Sequence, residues 1–276
     1  MPSIADNISN KVINNDGIST KLIANFGAGI DHINLEHAKK KGIIVTNTPG
    51  LLAEDTADLV LALILALPRR IYEGSKVVAQ GKWNGWSPTN MLGRRINGKR
   101  LGIIGMGRIG QAIAKRARAF GISIHYNNRK QLPNQIEEYL EATYWKNLDE
   151  MIRRVDIISI NCPLTSETKG LLSSERLELM TPDSYLINSS RSEIVDEEAL
   201  VKMLRGEKIA GVGLDVFNRR QDGKSQLLEL PNTILIPHMG SATIEGRIEM
   251  GEKVIINIKT YLDGHRPPDQ IVPSML

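Results

Sequence analysis

The chain holds a single cysteine, Cys162, among 276 residues. One thiol cannot build an internal disulfide framework, and such scarcity suits a reducing compartment. No basic-then-apolar leader opens the sequence, so no secretory signal is expected and cytoplasm is the default location. Long hydrophobic runs are missing as well. The longest, Leu59 to Leu67, stops at Pro68; it is too short for a bilayer and suits a buried helix, so no membrane partner is expected. Net charge is only +4 and is spread along the chain, which offers nucleic acid no concentrated basic stripe. There is no His-Glu-x-x-His and no Cys/His cluster at metal-ligand spacing, so no catalytic metal is expected. Internal repeats and low-complexity segments are absent too.

What remains is a globular composition, 41% hydrophobic and 24% charged, with length for two modest domains. The most informative stretch begins at Leu101. An apolar strand, Leu101 to Ile104, runs into Gly105-Met-Gly107-Arg108-Ile109-Gly110, and a helical pattern with apolar Ile109, Ala112, Ile113 and Ala117 follows. The three glycines of Gly-x-Gly-x-x-Gly serve different ends. Gly105 permits the tight turn, Gly107 admits a pyrophosphate to the backbone, and Gly110 lets helix and strand pack closely. The free amides at the helix start, around Arg108 and Ile109, then face the phosphates. Bare glycine turns match this pattern often; a strand before and a helix after make it a dinucleotide site.

The next strand selects the dinucleotide. Gly121 to Tyr126 ends in Asn127-Asn128-Arg129-Lys130, and Asn128 stands where an NAD site usually places a carboxylate for the ribose 2′-hydroxyl. Arg129 and Lys130 can bind a 2′-phosphate by charge-assisted hydrogen bonds, which favours NADP(H) with NAD(H) as the lesser cofactor. The plain alternative is a solvated basic loop.

Strand signals at Leu101–Ile104, Ser123–Tyr126, Asp156–Asn161, Tyr185–Asn188, Ala210–Asp215 and Thr233–Ile236 alternate with helical stretches at Gln111–Phe120, Leu148–Arg153, Ser174–Leu179 and Glu197–Arg205. Such alternation predicts an α/β fold with a doubly wound parallel sheet, its ligands beyond the strands' carboxyl ends. A shorter β/α region precedes it, with strands near Leu22–Asn25 and Ile43–Thr46, and a helix over Glu245–Leu262 returns to that first region. Three strand ends carry chemistry: Ser189-Ser190-Arg191, Asp215, and Pro237-His238-Met239-Gly240-Ser241. Reducing a carbonyl by hydride needs a proton donor, which His supplies near neutral pH, and a cation for an acidic substrate, which planar Arg supplies. His238 qualifies by its place at a strand end; His32, His37, His125 and His265 read as structural or surface residues. Arg191 could instead be a surface ion-pair partner, and Asp215 a strand cap.

Phe26-Gly-Ala-Gly-Ile-Asp31, the fingerprint, Asn188-Ser-Ser-Arg191 with Val195-Asp196, Gly211 to Phe217 and Pro237 to Thr243 occur in one order. Together they resemble the D-isomer-specific 2-hydroxyacid dehydrogenases over nearly the whole chain, most closely the glyoxylate/hydroxypyruvate reductases. Trp83-Asn-Gly-Trp86-Ser-Pro88 and the Tyr-Asn-Asn-Arg-Lys ending point the same way. The resemblance implies a Rossmann cofactor domain over 96–242 and a smaller flavodoxin-like substrate domain, incomplete at its N-terminus, over 1–95 and 243–276. It implies a homodimer acting on a small 2-keto or 2-hydroxy acid in a cleft between domains. By position, Arg191 binds the substrate carboxylate and carbonyl, His238 donates the proton, and the backbone at Ala28 and Gly29 holds the carboxylate. Asp215 meets the nicotinamide carboxamide, Ser241 lies beside the nicotinamide, and Trp86 shapes a partner's pocket or packs as an interface aromatic.

Three departures stand out. The family's Glu, which pairs with the His, is replaced by Arg220; a cation there lowers a histidine pKa, and only Asp222 offers a substitute. Ser192 replaces a Gly, which adds strain if that position has a positive φ. The sequence also begins at the end of the family's opening segment, from which an N-terminally short chain, better dissolved when extended upstream, is expected. These departures motivate the alternatives: a catalytically impaired dinucleotide-binding protein (a sensor or gene fragment), or a family member acting on another 2-hydroxy acid.

Overall fold

The computed structural model describes residues 1–3, 5–14, 19–218 and 225–272. Contacts divide the chain into two units, Met1–Asp55 with Ser241–Leu276, and Thr56–Gly240. The smaller unit begins with α1 (Asn10–Ile13), β1 (Leu22–Ala24), α2 (Leu35–Lys40) and β2 (Ile44–Thr46). β1 and β2 pair in parallel, Leu22 opposite Ile44, and bury Ile23 and Val45 with Ile13, Ile33, Ala38 and Ile43.

The larger unit takes in most of α3 (Ala53–Ala66), then α4 (Ile71–Ala79), β3 (Arg100–Ile104), α5 (Arg108–Ala119), β4 (Ser123–Asn127) and α6 (Asn134–Leu140). It continues through β5 (Ala142–Tyr144), α7 (Leu148–Ile152), β6 (Ile157–Ile160), α8 (Ser174–Leu177), β7 (Tyr185–Asn188), α9 (Glu197–Arg205), β8 (Gly211–Leu214) and β9 (Thr233–Leu235). All seven strands are parallel, in the order β5-β4-β3-β6-β7-β8-β9. The chain runs outward from β3 in both directions, so the switch point lies between the carboxyl ends of β3 and β6. The last helix, α10 (Ile244–Leu262), belongs to the smaller unit and packs on β1 there.

Strand alternation explains the two cores. In β7, Tyr185 and Ile187 enter one cluster and Leu186 enters the other; in β3, Leu101 and Ile103 oppose Ile104 in the same way. A sheet covered on both faces needs apolar residues at nearly every position, as Ile157-Ile158-Ser159-Ile160 shows. Each fully buried Leu or Ile contributes roughly 1.5–3 kcal/mol relative to an exposed one.

The boundary expected near 95 falls near 55 by contact. Ala57, Val60, Leu61, Leu63 and Ile64 of α3 pack into one core with Leu101, Ile103, Ile113 and Ile187, which ties that helix to the sheet. The later boundary falls at 241 where 243 was expected. Neither α6 nor β5 is expected from the sequence pattern, while β7 and α9 begin and end at the residues expected.

Candidate active site

The glycine turn sits at the switch point. Gly105 has φ +95, and a Cβ there would lie 2.6 Å from the Cys162 nitrogen and 2.8 Å from the Asn161 carbonyl carbon. Only glycine fits both the angle and the space. A Cβ at Gly110 would lie 2.5 Å from the Gly105 oxygen and 3.1 Å from Ile103 Cγ2, so α5 approaches β3 because residue 110 has no side chain. Gly107 differs. A Cβ there meets nothing within 4 Å, and φ is an ordinary −79. The fold therefore demands glycine at 105 and 110 and leaves open space above 107.

Helix α5 is also electrostatically prepared. Acidic residues occupy the first turns of α3 (Glu54, Asp55), α7 (Asp149, Glu150) and α9 (Glu197, Glu198), whereas α5 has none. Its first amides have no intrahelical acceptor, and its positive dipole end is left for an external anion, with Arg108 exposed and Ile109 half-buried at the start. A dinucleotide pyrophosphate fits this open glycine cradle with free donors.

Asn128, half-buried, accepts from the Met106 amide through Oδ1 at 3.3 Å, and its carbonyl accepts from Tyr144 Oη at 3.3 Å. It thus braces the glycine turn from the end of β4. Arg129 and Lys130, the next two residues, are exposed, and neither makes a hydrogen bond or ion pair among the described residues. Beneath the turn, Cys162 is buried and its thiol is pushed up to about 11 by burial, so it stays protonated at neutral pH.

Arg191 and His238 follow β7 and β9, which flank β8. Asn188, buried at the end of β7, donates through Nδ2 to the Arg191 carbonyl at 2.8 Å and accepts from the Ser190 amide at 2.9 Å. Ser190 Oγ donates to the Cys162 carbonyl. This knot fixes the backbone of Arg191, whose half-buried guanidinium donates to the Ser190 carbonyl at 2.8 Å. Ser192 enters a 3-10 turn (Ser192–Ile194) without a positive φ, so the expected strain is not there. Once the turn follows an extended Arg191, any residue fits at 192.

His238 is the strained residue. Its φ of +50 lies in the left-handed region, and its ring lies at an exposed position. Asp215, 1% exposed after β8, holds this conformation: its carboxylate accepts from the Met239 amide at 2.6 Å and the Gly240 amide at 2.8 Å, while its carbonyl accepts from the His238 amide at 3.0 Å. The family resemblance also gives Asp215 a contact with the nicotinamide carboxamide; in the structure each of its side-chain oxygens accepts from one amide of the histidine loop. Ser241 follows, half-buried. Arg220, Gln221 and Asp222 lie outside the described residues.

In the smaller unit, the loop from Phe26 to Asp31 is organised by an asparagine that the sequence pattern marks only as a strand end. Asn25 is buried and donates to the carbonyls of Gly27 at 3.0 Å and Gly29 at 2.9 Å; its Oδ1 pairs with His32 Nε2 at 3.0 Å. Asn47 donates to the Ala28 carbonyl at 2.8 Å. With these carbonyls engaged, the amides of Ala28 and Gly29 find no acceptor among the described residues. A polar residue closing an apolar strand was the available signal. Trp86, in the larger unit, is 84% exposed.

A glycine turn at the switch point of a doubly wound parallel sheet, opening a helix with unspent amides, defines a dinucleotide-binding domain. Residues 61–240 match the family described as D-isomer specific 2-hydroxyacid dehydrogenase, NAD binding domain. The chain belongs to that family: it is an oxidoreductase that binds a nicotinamide dinucleotide. It is 42% identical to a glyoxylate reductase of Thermococcus litoralis over 277 residues, covering 99% of this chain and 83% of the relative. A solved glyoxylate reductase from Paecilomyes thermophila superposes with a TM-score of 0.83 at 35% identity, covering 93% of this chain and 76% of that one. An NADPH-dependent glyoxylate/hydroxypyruvate reductase from Sinorhizobium meliloti, solved with NADP and malonate, gives 0.82 at 36% identity, covering 91% and 77%. Among the described residues, no helix is long and apolar enough to cross a membrane.

Proposed function

We propose that this chain reduces a small 2-keto acid, glyoxylate or hydroxypyruvate, to its 2-hydroxy acid, with NADPH preferred over NADH. The observation that carries the reading is the pair of committed strand ends: an arginine fixed after β7, and a histidine held in a strained turn after β9, in the same sheet as the glycine cradle. When bound, the nicotinamide supplies the hydride to the carbonyl carbon. Arg191 holds the substrate carboxylate in its planar fork and polarises the carbonyl. His238 gives its proton to the carbonyl oxygen as negative charge develops there. Asp215 keeps the imidazole in place through the backbone. The free amides of Ala28 and Gly29 suit a carboxylate, and Ser241 is assigned to the nicotinamide side by resemblance alone. Gly105, Gly107, Gly110 and the amides at Arg108 and Ile109 receive the pyrophosphate.

The NADPH preference rests on Arg129 and Lys130, two exposed cations beside a ribose position that lacks a carboxylate. Absorbance of the reduced nicotinamide, followed with each keto acid, tests both parts. Turnover is expected with both cofactors, with kcat/KM at least about tenfold higher for NADPH, the worth of one charge-assisted contact. Equal values would remove the cofactor preference. Binding of NADPH without turnover would favour the impaired dinucleotide-binding reading, to which Arg220 in the usual Glu position lends support.

The oligomer proposed is a homodimer formed through α4 and the segment after it. Helix α4 buries none of its residues, and Val78 (61% exposed), Trp83 (63%), Trp86 and Leu92 form a run of large apolar side chains in solvent. Monomers rarely leave such a surface bare. Sedimentation at micromolar concentration is expected to give twice the 30.6 kDa chain mass, and Val78→Glu to halve it. A monomeric wild type would end this proposal.

A further inference from the structure

The loop between β4 and α6 carries the two cations assigned to the 2′-phosphate, and every residue around them is tied down. Tyr126, on β4, is fully buried in the sheet, yet its hydroxyl reaches the loop. It accepts from the Leu132 amide at 2.9 Å and donates to Glu137 on α6. Glu137 also accepts from Gln131 Nε2, at 2.9 Å and 3.2 Å to its two oxygens. At the other end, the ring of Tyr144 on β5 packs tilted against Tyr126, 5.3 Å between centroids, and its hydroxyl donates to the Asn128 carbonyl, while Asn128 holds the Met106 amide. Residues 128, 131 and 132 are thereby fixed to β4, β5 and α6, and only Arg129 and Lys130 project free. Burial, and then the bond to Glu137, push the Tyr126 phenol well above its usual range, so it remains a donor at any pH the protein meets.

A flexible basic loop would lose much of its charge advantage to the entropy of ordering two long side chains and their backbone. A fixed loop presents the same cations with the backbone share of that loss already met. We propose that Tyr126, Glu137 and Gln131 form a clasp that sets cofactor selectivity by presenting Arg129 and Lys130 to the 2′-phosphate. None of the three touches the phosphate; they are positioning residues, and the inference rests on the NADPH reading above. Tyr126 Oη is the centre of the clasp, because it joins the loop backbone to α6 through one atom. A plain core role for the Tyr126 ring would leave selectivity indifferent to its oxygen.

The test is direct binding rather than turnover. Dissociation constants for NADPH and NADH are measured by nucleotide fluorescence for the wild type, Tyr126→Phe and Gln131→Ala. Tyr126→Phe keeps the buried ring; Gln131 is exposed, so its removal leaves folding untouched even if the phenylalanine variant fails to fold. For Tyr126→Phe we expect NADPH to weaken about five- to tenfold, the worth of a hydrogen-bonded joint, and NADH to change by less than about twofold. Gln131→Ala should move the ratio in the same direction by about two- to threefold. Equal weakening of both cofactors would mean a structural role only and overturns the inference, as does an unchanged ratio in both variants. A wild type that binds the two cofactors equally removes the NADPH reading and the clasp's role with it. That outcome is distinct, because it shows before any variant is made.

Discussion

His238→Asn should lower kcat by roughly a hundred- to ten-thousandfold while leaving NADPH affinity within about twofold, the loss typical of a missing general acid. Asparagine is chosen because the position has φ +50, and Asn tolerates the left-handed region as well as His does. The Asp215 contacts then survive, and the change reports proton donation rather than a collapsed turn. Arg191→Gln should act differently. Removing the cation weakens both the carboxylate contact and the polarisation of the carbonyl, so KM rises and kcat falls, together lowering kcat/KM by about a hundred- to a thousandfold. Steady-state kinetics on both variants separate the roles. A histidine variant with near-wild-type kcat would show that the proton comes from elsewhere, and the site assignment would have to be abandoned.

The second large effect divides the three fingerprint glycines by what each one serves. Gly110→Ala places a methyl 2.5 Å from the Gly105 oxygen, a backbone atom that cannot swing aside. Overpacking of that kind costs about 1–3 kcal/mol, and in a chain of this size each kcal/mol lowers Tm by about 2–4 °C. Gly105→Ala should cost at least as much, since it adds a φ of +95 to a 2.6 Å clash. Gly107→Ala has nothing to strike within 4 Å and an ordinary φ, so Tm should stay within about 1 °C. Its NADPH affinity should nevertheless fall by about tenfold or more, because the methyl takes the space a pyrophosphate needs. Thermal melts and nucleotide fluorescence on the three proteins decide it. Full NADPH affinity in Gly107→Ala would place the phosphates somewhere other than this cradle.

Much of the sheet is legible in the sequence because parallel strands buried on both faces leave continuous apolar runs, such as Tyr185 to Asn188, bounded by turn residues. The parts that escape it lack that signature. β5 is three residues long, has no fully buried position and stands at the sheet edge; α6 follows Pro133 and buries only Leu140. The unit boundary differs because α3 shows its apolar residues in sequence but not which sheet they face. At the site, residue types are readable and conformations are not. Residue type alone does not say that His238 takes a positive φ, that Ser192 enters a 3-10 turn, or which carbonyls Asn25 holds. The first follows from hydrogen bonds between segments far apart in the chain, Asp215 to Met239 and Gly240, and the other two from short-range bonds whose geometry residue types leave open.

The seat of Asp215 has a bearing on how this enzyme's mutational record would be interpreted. Loss of Asp215 is expected to lower turnover, and a survey scoring variants by turnover alone would then invite a chemical role for it. The carboxylate accepts from two amides of the histidine loop, so its loss reaches His238 through the main chain. A large loss of turnover at 215 would therefore be no proof of contact with the reacting atoms. The charge of Asp215 works as carpentry for the turn that carries the histidine.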